Sequence, residues 1–126
     1  DTVDFLNPIE VGELITLKAS VNYVGNTSMV VGIRVDAENI QTGKVKHCNS
    51  SYFTMVAKDE EGKSIKVPAL ILNNWVEVRR FFDSLRRINH KKEYKKLEET
   101  YDYKSEEALK RLDGLNIELN FDITLK

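Results

Sequence analysis

Apolar and polar residues alternate through much of the first half of this chain. Between Leu14 and Val24, Ile15, Leu17, Ala19, Val21 and Tyr23 share one phase, and Thr16, Lys18, Ser20 and Asn22 share the other. The pattern breaks at Gly25-Asn26-Thr27-Ser28. It resumes with Met29, Val31, Ile33, Val35 and Ala37 opposite Val30, Gly32, Arg34, Asp36 and Glu38. Period-two runs of this length predict strands with one buried face. A second break at Gln41-Thr42-Gly43 leads into Lys44 to Ala57, most apolar from Tyr52 onward. Val3 to Ala57 therefore predicts an antiparallel meander of three or four strands, because connections this short join antiparallel neighbours.

The opening segment Thr2 to Leu6 is extended, and Asn7-Pro8 bends it. Gly12-Glu13 then turns the chain into the first long strand. After Ala57 comes a charged turn over residues 58–63. Residues 64–72 follow, where Pro68 argues for an edge or irregular segment.

The period changes at Asn73-Asn74. Asn74 with Glu77 three residues on resembles a capping box. Trp75, Val78, Phe81 or Phe82, Leu85 and Ile88 then form one apolar stripe at helical spacing. A weaker stripe, Tyr94, Leu97 and Tyr101, continues through a second helix, with His90 at the junction. Ser105 caps a third helix that runs to Leu112 and is closed by Gly114. From Leu115 to Lys126 the alternation returns, with Leu115, Ile117, Leu119, Phe121, Ile123 and Leu125 in phase. That predicts a last strand, added to the meander and packed toward the helix at residues 75–88.

Composition narrows the classes. At 126 residues, 41% hydrophobic and 31% charged, the chain reads as one globular domain. A formal net charge of −1 gives no overall pull toward nucleic acid or an anionic membrane. The single cysteine, Cys48, has no internal partner, and no Cys/His spacing resembles a zinc site. No apolar run approaches the roughly 18 residues of a membrane span, and no signal peptide opens the chain. A reduced, cytoplasmic setting is the expectation. Asp1 falls practically inside a strand and is not an initiator Met, so a piece of something longer is expected.

Four stretches resemble the acyl-CoA thioesterases of the hotdog fold. Val3-Asp4-Phe5-Leu6-Asn7-Pro8-Ile9 with Val11-Gly12-Glu13 resembles that family's VDFLxPIxxGD. Val24-Gly25-Asn26-Thr27-Ser28-Met29 resembles its VGRTSM turn. Asp36-Ala37-Glu38-Asn39 with Thr42-Gly43 resembles its AEN…TG hairpin. Tyr52 to Ala57, Asp59, Gly62 and Val67-Pro68 resemble YFTxVAxDxxGxxxxVP. The match runs in register over roughly residues 1–70, whereas residues from Asn73 onward have no such match.

The resemblance implies an antiparallel sheet wrapped around a long central helix, assembled as a dimer or hexamer. It implies hydrolysis of acyl-CoA to free acid and CoA, with coenzyme A as part of the substrate and no separate cofactor. The helix and its acidic residue normally precede the VDFL strand, so no catalytic carboxylate is assigned here. The expected fold is thus α+β: a hotdog-type sheet over residues 1–72, then a tail over 73–126 of helices and a final strand, packed on the same domain. The expected function is an acyl-CoA thioesterase whose catalytic helix this chain lacks. The alternative is a non-catalytic acyl-CoA-binding or assembly subunit.

The residues themselves add candidates. Gly25, Asn26, Thr27 and Ser28 can offer backbone N–H groups and hydroxyls to a phosphate or pantetheine, although the same residues suit an ordinary hairpin. The family often has Arg where Asn26 stands. Asn7 can donate to a ligand carbonyl, and turn chemistry explains it equally well. His47 and Cys48, adjacent in a strand, point to opposite faces and form no nucleophile–base pair. Asp4, Asp36 and Glu38 serve as general bases only if buried, and the alternation places Asp36 and Glu38 toward solvent. Over residues 77–96, eight Arg and Lys face three carboxylates, a net +5. This cluster suits CoA phosphates or another polyanion, but a solvated helix face explains it more simply, and no nucleic-acid motif accompanies it. The apolar sheet face must be covered, because burying each large side chain is worth about 1.5–3 kcal/mol. The helix at 75–88 either covers part of it or packs outside the sheet, and the pattern leaves both open.

Overall fold

The computed structural model describes residues 2–121. Four strands form one sheet: β1 (Thr2–Phe5), β2 (Glu13–Val24), β3 (Ser28–Asn39) and β4 (Val45–Val56). All pairings are antiparallel, in the order β1-β4-β3-β2. The long strands form the meander that their alternation predicts. β1 does not join it beside β2. The residues between β1 and β2 include Pro8 and are too many for a tight hairpin, so the chain crosses the end of the sheet to reach the far edge. Leu6 N and Asn7 N both donate to the Cys48 carbonyl, at 2.9 and 3.3 Å. The β3–β4 turn is closed by Gly43, whose φ of +70° lies in the left-handed region. Asn39 Oδ1 accepts from Gln41 N and Thr42 N there. Residues 65–72 form no strand, as Pro68 argues.

Two bulges decide which side chains share a face. In β2, Val21 pairs with Val31 but Tyr23 pairs with Val30, so Asn22 is the extra residue. In β4, Asn49 pairs with Val35 but His47 pairs with Asp36, so Cys48 is the extra residue. Each bulge reverses the phase beyond it. Tyr23 therefore leaves the face of Ile15, Leu17 and Val21 and joins the hydrophilic one, contrary to simple alternation. Asn22 folds over Gly32: a Cβ at Gly32 would stand 2.3 Å from Asn22 Nδ2.

A single helix, α1 (Trp75–Thr100), replaces the two that the stripes suggest, and His90 lies within it rather than at a junction. No Gly or Pro interrupts residues 75–100, and the Lys- and Glu-rich stretch after Asn89 favours helix throughout. Asn74 Oδ1 caps it by accepting from Glu77 N at 3.0 Å, while the Glu77 carboxylate reaches back to Asn73 N. α2 (Glu106–Lys110) is capped by Ser105, whose side chain accepts from Ala108 N. Gly114 follows at φ +79°.

The expected last strand does not form over Leu115 to Phe121, and Asp122 to Lys126 lie outside the described residues. Leu115 N and Ile117 N bond locally to Leu112 O and Leu115 O. These donors are turned into the chain's own turns, so a ladder has nothing to start from, and Leu115, Ile117, Leu119 and Phe121 stay exposed. Alternation alone gives no strand without a partner edge.

The chain divides into two compact units, Asp1–Ile88 and Asn89–Lys126, with the division inside α1. In the first unit, the N-terminal half of α1 packs on the hydrophilic face of the sheet. Phe81 meets Tyr23 with ring centroids 4.9 Å apart, and Arg87 lies 3.6 Å over the Tyr52 ring. Ser84, 1% exposed, is the most buried residue of the helix. Of the two positions the pattern leaves open for this helix, the structure takes the one outside the apolar face.

Candidate functional site

The apolar face of the sheet is open. Leu17 is 66% exposed, Met55 55% and Phe53 42%, and Val3 and Phe5 of β1 extend the same surface. One polar pair interrupts it. Asn49 and Ser51 are both buried, and Ser51 Oγ donates to Asn49 Oδ1 at 2.7 Å. They share the phase of Phe53 and Met55, so alternation along β4 places them here, and the Cys48 bulge instead carries His47 to the opposite face. At the margin of the face, Glu13 accepts from Glu10 N at 2.8 Å and pairs with Lys46 at 3.0 Å. The amide first and Lys46 second hold the Glu13 carboxyl below its ordinary range, and Glu13 in turn raises Lys46.

The turn of Gly25, Asn26, Thr27 and Ser28 stands at one end of the sheet. Gly25 N donates to Ser28 O at 2.8 Å. Asn26 O and Thr27 O accept from Val67 N and Ala57 N. The carbonyls of the turn are thus tied to the segments behind it, and the exposed Asn26 side chain projects outward. Asn7 stands at the opposite end, where its Nδ2 donates to the His47 carbonyl at 2.7 Å. Ser28 pairs with Val56, eight positions along β4 from Cys48. At about 3.3 Å per residue that is roughly 26 Å. One chain therefore does not bring Asn7 to the turn.

The remaining candidates separate as well. His47 Nε2 lies 3.0 Å from Asn49 O and 2.9 Å from Ser50 Oγ, while Cys48 Sγ is directed at Lys46 O and Pro8 O. They form no nucleophile–base pair. Asp4 is exposed, and among the described residues no group of His, Cys, Asp and Glu is arranged to hold a metal ion.

Asp36 departs from the expectation that it faces solvent. It is 5% exposed and sits between Arg34 Nε at 2.8 Å and Lys18 Nζ at 3.4 Å. Its own phase is hydrophilic, but the Lys18 and Arg34 side chains close around it. Burial pushes the Asp36 carboxyl up, yet the Arg34 and Lys18 cations together outweigh this and leave it below its ordinary range. A carboxyl lowered on folding stabilises the fold above its unfolded value, about 3.9, and loses that contribution as pH falls through the folded value. Asp36→Asn should therefore be less stable than the parent near neutrality and lose less stability on acidification below about pH 4. Urea melts at neutral pH and at about pH 3 measure this; equal acid losses in both chains would show that the ion triad contributes nothing.

Comparison with known proteins follows the same residues. The thioesterase superfamily model matches residues 1–44. Protein VdlD of Helicobacter pylori is 51% identical over 87 residues, covering 69% of this chain and 49% of that protein. The structure of an apo-hexameric acyl-CoA thioesterase superposes with a TM-score of 0.70 at 34% identity, over 74% of this chain and 60% of the other. An acyl-CoA hydrolase from Staphylococcus aureus, solved in complex with butyryl coenzyme A, coenzyme A and coenzyme A disulfide, superposes at 0.68 with 31% identity, over 78% and 60%. The chain spans about half the length of the VdlD relative. Among the described residues no helix is long and apolar enough to cross a membrane.

Proposed function

The chain belongs to the hotdog-fold acyl-CoA thioesterase family, and from that premise we propose that it is the sheet portion of an enzyme hydrolysing acyl-CoA to free acid and CoA. The observation that carries this reading is the open apolar face. Its side chains, Ile15, Leu17, Val21, Phe53 and Met55, are each at least 41% exposed. An apolar surface this continuous marks an interaction site. In the proposed enzyme it receives the catalytic helix, supplied by a longer form of the protein, and shields an acyl chain. The assembly is a homo-oligomer, dimer or hexamer, and the setting is cytoplasmic. The turn of Gly25 to Ser28 contacts the CoA moiety through Thr27 and Ser28. Asn7 joins such a contact only from a second copy.

Thiol release from butyryl-CoA by the gene product that carries these residues tests the reading. Saturable hydrolysis is expected, with KM raised by Ser28→Ala through loss of one hydrogen bond, roughly 3- to 10-fold. Butyryl-CoA binding without thiol release would overturn it in favour of a non-catalytic acyl-CoA-binding subunit of the same fold.

A further inference from the structure

We propose that the cleft between α1 and the hydrophilic face of the sheet binds a compact phosphate-bearing anion. The cleft has a volume of about 430 Å³ and lies wholly within the first compact unit. Five cations line it from three elements: Lys18 of β2, Arg34 of β3, and Arg79, Arg80 and Arg87 of α1. Two carboxylates offset them. Asp36 is held by Lys18 and Arg34, and Asp83 is bonded to Arg86. The balance is +3 within one cavity, well beyond what a solvated helix face requires.

The neutral lining is equally suited to an acceptor-rich ligand. Asn22 supplies amide donors and Ser50 a hydroxyl. Arg87 is already set, stacked over Tyr52 and bonded to Ser84 Oγ. Arg34 uses Nε on Asp36, which orients its planar fork. Among the described residues, Arg79 and Arg80 have no side-chain ion pair or hydrogen bond. Cations brought together in this way repel one another until an anion bridges them, and guanidinium forks match phosphate oxygens two at a time. Because Arg87 covers the Tyr52 ring, no aromatic face is left for a base, so the phosphate groups are what is recognised. The turn of Gly25 to Ser28 does not line this cleft. The site is separate from it and stands whether or not the chain belongs to an active thioesterase.

Isothermal titration of inorganic pyrophosphate into the full chain, at about 0.15 M salt, tests the site. Saturable one-to-one binding is expected. Arg79→Gln/Arg80→Gln, two exposed helix positions, should weaken it at least about tenfold without changing the melting temperature. Lys92→Gln/Lys95→Gln removes the same charge from the C-terminal half of α1 and should leave binding intact. Displacement of pyrophosphate by adenosine 3′,5′-bisphosphate would support the site and name a CoA-type nucleotide as its source. Failure to displace it would support the site with a simpler phosphate. No saturable binding of pyrophosphate, or equal weakening in the two double variants, would overturn the proposal.

Discussion

Residues 1–126 by themselves should release thiol from an acyl-CoA at or near the uncatalysed rate. Thioester hydrolysis needs a group that takes a proton from water beside the bound carbonyl, and such a base contributes typically 10²–10⁴-fold. Of the carboxylates in the four strands, only Glu13 shares the open apolar face, where β2 and β4 meet its margin through the Glu13–Lys46 pair. The Glu10 amide and Lys46 lower its pKa, which makes it a weaker base. Asp36 lies on the opposite face and is held by two cations. In the proposed enzyme, supplying the catalytic helix, in cis or as a separate polypeptide, should raise the rate by the full factor. Single-turnover measurements on both forms read the difference. Robust hydrolysis by residues 1–126 alone would remove the need for an added helix and return attention to Glu13.

Gly32→Val should destabilise the first unit strongly. Gly32 faces α1 at the centre of β3, between Ser20 on one side and Tyr52 on the other. A single added Cβ would meet Asn22 Nδ2 at 2.3 Å and a Tyr52 ring carbon at 3.4 Å. Asn22 is buried and accepts from Ser20 Oγ at 2.7 Å, so it cannot swing away without losing that bond. Tyr52 lies under Arg87 and is no freer. Overpacking of this kind costs about 1–3 kcal/mol; the branched side chain places the variant at the upper end. The cost should fall when Asn22→Gly is added, since the clash and the bulge side chain disappear together. Urea denaturation of the single and double variants measures both effects. A Gly32→Val chain as stable as the parent would mean that Asn22 does not pack over this position.

The bulges explain how far the fold was legible in the sequence. Long period-two runs required the three long strands, and turn residues located their ends. Asn74 and Ser105 marked two helix starts through the side-chain oxygens that cap them. What the pattern could not show is where phase is lost. An extra residue at Asn22 or Cys48 leaves composition untouched, yet it moves Tyr23 to the helix side and turns His47 away from the face of Asn49 and Ser51. The same limit applies to Asp36, whose alternation is polar but which Lys18 and Arg34 on neighbouring strand positions enclose.

By itself the sequence determined the meander, the capped helix starts and the motifs that join this chain to a thioesterase family, because these rest on local backbone preference and on residues at short spacing. Only the tertiary structure decided which sheet face α1 covers, since an amphipathic stripe specifies that a helix must pack but not against what. That choice leaves Leu17, Phe53 and Met55 open and gathers Lys18, Arg34, Arg79, Arg80 and Arg87 around one cleft.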